Sequence, residues 1–122
     1  MAKEYTPDLQ KLFLEMMMQD AQNYVRVQNI FNPENFDRSL KETATFIAEH
    51  STKHATLPTY EMVKASVGVE LKPIPDMLDG HNDWFMAEFE GFTKRQELER
   101  AILKSADMLE KGEYDPVEKL IK

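Results

Sequence analysis

The stretch LFLEMMMQD, Leu12 to Asp20, sets three methionines in a row inside an apolar run. An amphipathic helix turns about 100° per residue and buries one face. Here Leu9, Leu12, Phe13 and Met16 share that face, Met17 lies at its edge, and Leu14 and Met18 fall on the back. The run begins at Thr6, Pro7 and Asp8, which supply a capping hydroxyl, a proline suited to the first helical position and an acid that suits the helix dipole. The stretch therefore reads as a helix with apolar surface on both sides, and its back calls for a cover of its own.

The helical period recurs along most of the chain, and no segment alternates apolar and polar residues over a strand's length, so the expected fold class is all-α. A short second helix over 21–29 offers Tyr24, Val25 and Ile30 before Pro33 stops it. Asn32 to Phe36 reads as a turn. A third helix then presents Phe36, Leu40, Thr43, Ala44 and Ile47 and frays through His50 to His54. Pro58 and Thr59 start a fourth, Tyr60 to Ser66, with Met62 and Val63 inward. The segment GVELKPIPDMLDGHN, 68–82, is dense in Gly, Pro and Asp and reads as a connector with one turn at Ile74 to Leu78.

From Asp83 to Lys111 there is no proline and one glycine, which predicts a long helix, either continuous or bent at Gly91. Phe85, Phe89 and Phe92 form an aromatic stripe beside Trp84, suited to packing on the globular helices. Leu98, Ile102 and Leu109 form a narrower seam suited to a helical hairpin or coiled-coil partner. Ala101, Leu103 and Met108 spread apolar surface around the rest of that half. Gly112 is placed as a helix cap, and Asp115 with Pro116 begins a last helix, VEKLIK, which reads as truncated. The expected architecture is a small globular helical bundle with its connector over 1–82, followed over 83–122 by the long helix and a helical hairpin. Phe13, Ile47, Phe89 and Phe92 are the expected core.

Composition narrows the function classes. The chain has 122 residues, 42% hydrophobic and 30% charged, which suits one small domain. No apolar stretch approaches the roughly 20 residues of a membrane span, and the opening MAKEYTPD lacks the pattern of a secretory signal, so a cytoplasmic, non-membrane protein is expected. The absence of cysteine excludes disulfides and thiolate chemistry. A net charge of −7 with mixed lysine and glutamate disfavours direct nucleic-acid binding.

Motifs for catalysis are sparse. His50 and His54 have a spacing that brings two imidazoles to one metal, but HSTKH lacks the glutamate of the zinc-protease motif, and no third ligand is evident. The blander reading is a histidine pair favoured near a helix C-terminus. The four glycines nowhere form a phosphate loop. Asp76, Asp79 and Asp83 fail the spacing of a calcium loop. Glu88 with Glu90, and Glu97 with Glu99, read as solvated helix surface. The methionines read as core filler before a recognition surface. The expectation is no catalytic residue, no cofactor and no metal.

The order of these elements resembles the N-terminal domain of DnaB-type replicative helicases, in the form found in tailed phages, over Asp8 to Lys122. An opening helix of the form VLGxLLxD is matched by Phe13, Leu14, Met17, Met18 and Asp20. A following F-x-P-x-x-F is matched by Phe31, Pro33 and Phe36, and the next helix by Leu40, Phe46 and Ile47. Leu57, Pro58, Thr59, Met62 and Val63 match the start of the fourth helix. Ala101, Ile102 and Ala106, followed by GEYDPVEKLIK, are similar to the closing segment of phage helicases.

The resemblance implies a non-catalytic collar domain in which hairpins pair between protomers within a hexamer and the collar docks primase or a helicase loader. ATP hydrolysis and most DNA contact belong to a separate RecA-like domain in that family. On this reading Leu98, Ile102, Leu103, Leu109 and Leu120 are candidates for the oligomer interface, and Leu14 and Met18 for a partner surface. The alternative is a free-standing phage replication adaptor, a helical interaction protein of the helicase-loader kind. An enzyme built on His50, His54 and the acids is the third class.

Overall fold

A computed structural model describes residues 4–110, which form five α-helices and no strand. They are α1 (Pro7–Gln19), α2 (Ala21–Val27), α3 (Arg38–His54), α4 (Tyr60–Val67) and α5 (Asp79–Glu110), with a 3₁₀ turn at Pro33–Asn35 between α2 and α3. The all-α expectation holds. The predicted cap Gly112 and last helix lie outside the described residues.

Short polar side chains start the helices by accepting N–H groups that the first turn leaves unpaired. The Leu9 N–H donates to Thr6 Oγ1 at 3.2 Å, with Pro7 in the first helical position. Asp20 accepts from the Gln22 N–H at 3.0 Å, Asp37 from the Ser39 N–H at 3.0 Å, and Thr59 from the Met62 N–H at 3.1 Å. α3 does not fray at His50. It runs through His54 and closes on Ala55 in the left-handed conformation, φ 57°, with the Ala55 N–H donating to Ser51 O. A left-handed alanine costs roughly 1–2 kcal/mol.

α1 is the central element, in contact with α2, α3 and α5. That answers the question the methionine run raises: Met16 and Met17 are buried and Met18 is half-buried against the core. Leu14, expected on an outward back, is fully buried. The one-face reading fails because neighbours cover α1 on several sides. Even the connector lies along it. The Lys72 N–H donates to Glu15 Oε2 at 2.7 Å and the Ile74 N–H to Gln19 Oε1 at 3.0 Å, so two side chains one turn apart on α1 satisfy an extended backbone. Leu71, between α4 and α5 in the chain, is buried beside this strap.

Phe13 centres an aromatic cluster. Its ring lies 6.0 Å from Phe85 and 5.6 Å from Phe89, both edge-on, and 5.5 Å from Phe92. Phe31 stacks on Phe89, and Phe36 meets Phe92 at 5.2 Å. Each such pair adds roughly 0.5–1.5 kcal/mol beyond area burial. Phe13, Ile47, Phe89 and Phe92 are all buried as expected, as are Phe36, Leu40, Thr43 and Ala44. Two inward expectations fail. Val25 is exposed and Val27 takes its place, while Met62 is exposed and its sulfur accepts the Thr59 N–H at 3.5 Å.

α5 is a single helix of 32 residues, about 48 Å at 1.5 Å per residue, and it does not split at Gly91. It starts at Asp79, four residues before the boundary read from sequence. Its first half belongs to the globular core.

Candidate interaction surface

The surface begins where α5 leaves the aromatic cluster. Asn35 marks the exit. It is buried at the end of the 3₁₀ turn, its carbonyl accepts from Gln96 Nε2 at 2.7 Å, and its Oδ1 accepts from Arg100 Nη2 at 2.6 Å. These two donors fasten the middle of α5 to the globule. Arg95 reaches Glu99 at 3.4 Å on the exposed side and lies over the Tyr5 ring.

From Gln96 onward four large aliphatic side chains of α5 are exposed. Leu98 is 61% exposed, Ile102 58%, Leu103 69% and Leu109 48%. At about 100° per residue, Leu98, Ile102 and Leu109 fall within roughly 40° of one another, and Leu103 sits roughly 100–140° from them. A second row, Ala101, Ser105 and Met108, is covered: Ser105 is buried, and Ala101 and Met108 are half-buried. The exposed seam is therefore distinct from the covered row. Of the five candidate interface residues, four lie exposed on α5, and Leu120 lies outside the described residues.

The other candidate surface does not form as expected. Leu14 is inside the core and Met18 is half-buried against it, so they offer no shared outward face. Among the described residues, the large apolar side chains exposed elsewhere are Val25, Met62, Leu78 and Trp84. Val25 and Trp84 flank in sequence the ion pair between Arg26 and Asp83, at 3.9 Å.

The sequence reading missed three buried amide side chains, Gln10, Asn23 and Asn35. Gln10 Nε2 donates to the Tyr5 carbonyl at 2.7 Å and Gln10 Oε1 accepts the Asp37 N–H at 2.6 Å, which joins the entry of α1 to the cap of α3. Asn23 Nδ2 donates to the Met16 carbonyl and to Asn82 Oδ1, which ties the α1–α2 corner to α5. Asn35 forms the clamp described above. One signal was available for Gln10, which lies three residues before Phe13 on the inward side of α1.

Burial raises the Tyr60 phenol above its ordinary range, with Glu15 adding to the effect, and the hydroxyl donates to Gln19 Oε1. The Ser39 hydroxyl and N–H lower the Asp37 carboxyl. Neither group sits in an enclosed site. Among the described residues no group of three or more His, Asp or Glu is placed to hold a metal ion, so Asp76, Asp79 and Asp83 do not converge. His50 and His54 do face one another, with ring centroids 4.6 Å apart. No described helix is long and apolar enough to cross a membrane.

Comparison with family models, characterised proteins and solved structures finds no match.

Proposed function

We propose that this chain is a non-catalytic collar domain of a hexameric, DnaB-type replicative helicase. It pairs with a second copy through α5 and docks primase or a helicase loader. The family part of this reading rests on the sequence resemblance: the order of the opening helix, the F-x-P-x-x-F turn, the Pro58–Thr59 start and the closing GEYDPVEKLIK. The observation that carries the pairing is the exposed seam Leu98, Ile102 and Leu109, on a helix clamped at Asn35 and aromatic only on its buried half. A long helix with a one-sided aliphatic stripe suits a helical partner, and a two-fold pairing places each substitution on both sides of the interface.

Analytical ultracentrifugation over a wide concentration range tests the pairing. The expected result is reversible self-association that Ile102→Glu abolishes while the melting temperature of the monomer stays near wild type. A strictly monomeric chain at high concentration removes the pairing. Anisotropy with labelled single-stranded DNA separates the collar from the adaptor class: the collar reading expects little binding, and tight binding favours a helicase-loader-like protein.

A further inference from the structure

The geometry points to a transition-metal site on the last two turns of α3, formed by the imidazoles of His50 and His54. Three observations meet there. α3 stays helical through His54, so residues at i and i+4 lie one above the other on one face. The two ring centroids are 4.6 Å apart. When two imidazole nitrogens point at one ion, a metal–nitrogen bond of about 2.1 Å puts the centroids roughly 4.6 Å apart at right-angle coordination and roughly 5.3 Å apart at the tetrahedral angle. The observed spacing is within reach of one shared ion, and the general affinity order for nitrogen ligands favours Cu²⁺, then Ni²⁺. The end of a helix also carries the negative pole of its dipole, which favours a cation.

The surroundings set the strength of the site. The Phe46 ring lies tilted beside His50 with centroids 5.8 Å apart, and Glu49 and Lys53 line the same open cleft. The Glu49 carboxylate favours a bound cation and the Lys53 ammonium opposes it. Two protein nitrogens leave the remaining coordination positions to water, so the site is an exchangeable one. The chain has no cysteine to compete for the ion. This assignment does not depend on the collar reading.

Calorimetric titration of Ni²⁺ into the whole chain at pH 7.5, paired with thermal melts, tests the site. We expect one equivalent to bind and to raise the melting temperature. Either His50→Ala or His54→Ala should weaken binding at least about tenfold, while His81→Ala, the third histidine, leaves it unchanged. Cu²⁺ should bind more tightly than Ni²⁺. Circular dichroism of each variant confirms that the helices remain. The assignment is overturned if no heat exceeds dilution, or if binding persists undiminished in both single variants.

Discussion

The two halves of α5 carry apolar residues at similar helical spacings and meet opposite fates. Phe85, Phe89 and Phe92 are at most 1% exposed, whereas Leu98, Ile102 and Leu109 are 48–61% exposed. The difference lies in what faces them. Phe13, Phe31 and Phe36 converge on the first half from α1 and the 3₁₀ region, and Asn35 then holds Gln96 and Arg100 at the edge of the globule. Past that edge the helical period continues without a comparable aromatic wall. A stripe in the sequence therefore specifies that a face is apolar, and the fold decides whether that face is spent within the chain.

The strongest way to break this comparison is to truncate one residue from each half. Phe89→Ala should cost about 3–5 kcal/mol, because it removes a buried ring and leaves a cavity. Leu98→Ala should change the stability of the monomer by no more than about 0.5 kcal/mol, the usual scale for an exposed position. Urea denaturation at low protein concentration measures both. Equal losses would mean that the second half is as much a part of the core as the first.

Next in size is the effect of a charge on the seam. Ile102→Glu should raise the dissociation constant of self-association by at least about tenfold, equivalent to about 1.4 kcal/mol, with little change in the unfolding midpoint of the monomer. Sedimentation measures the first quantity and dilute-solution melting the second. A loss of stability without a change in association would place Ile102 in an internal contact.

Gly91, near the junction of the two halves, allows a finer test. A methyl group there would stand 2.6 Å from the Tyr5 hydroxyl, while the ring carbon that bears it is 3.8 Å away. Gly91→Ala alone should destabilise the protein, because the Tyr5 hydroxyl must shift and the ring packed beside Phe92 and Phe13 must move with it. With Tyr5→Phe in the background the same change should become neutral or stabilising by up to about 1 kcal/mol, the helix preference of alanine over glycine. A double-mutant cycle reads the coupling directly. If Gly91→Ala is equally harmful in both backgrounds, Tyr5 is not the reason for the glycine.

How much of this was legible in the sequence follows from where each signal arises. The caps at Thr6 and Thr59, the α3 stripe and the aromatic stripe of α5 depend on neighbours within one or two turns, so local spacing sufficed. Leu14 was misread because its cover comes from distant elements, and nothing local distinguishes a helix with one neighbour from one with three. The choice of Val25 over Val27 reflects the length of α2: seven residues make fewer than two turns, too few to fix a register. The strap from Glu15 and Gln19 to the backbone at Lys72 and Ile74 spans more than fifty residues and has no local signature. For the candidate site, the aliphatic seam was legible and the clamp that isolates it was not, since a buried asparagine looks like any turn residue until its partners are known.

The smallest expected effect concerns pH at the entrance to α3, which adjoins the clamp through Asn35 and Phe36. The hydroxyl and then the N–H of Ser39 donate to the Asp37 carboxylate and lower its pKa below the ordinary value of 3.8, with Arg38 assisting. A carboxyl lowered in the folded state stabilises the fold above its unfolded value, and that contribution is lost as pH falls through the lowered folded value. Asp37→Asn keeps the shape and removes the charge, so the variant should unfold at lower urea than wild type at pH 7. The gap should begin to close as pH falls below the ordinary carboxylate value of 3.8 and shrink further as wild type itself becomes protonated. A gap that stays constant down to pH 2 would show that the charge on Asp37 contributes nothing and that the cap acts through geometry alone. A companion measurement on Ser39→Ala, which deletes the hydroxyl bond at 2.7 Å and retains the N–H bond, should show a smaller gap in the same pH window.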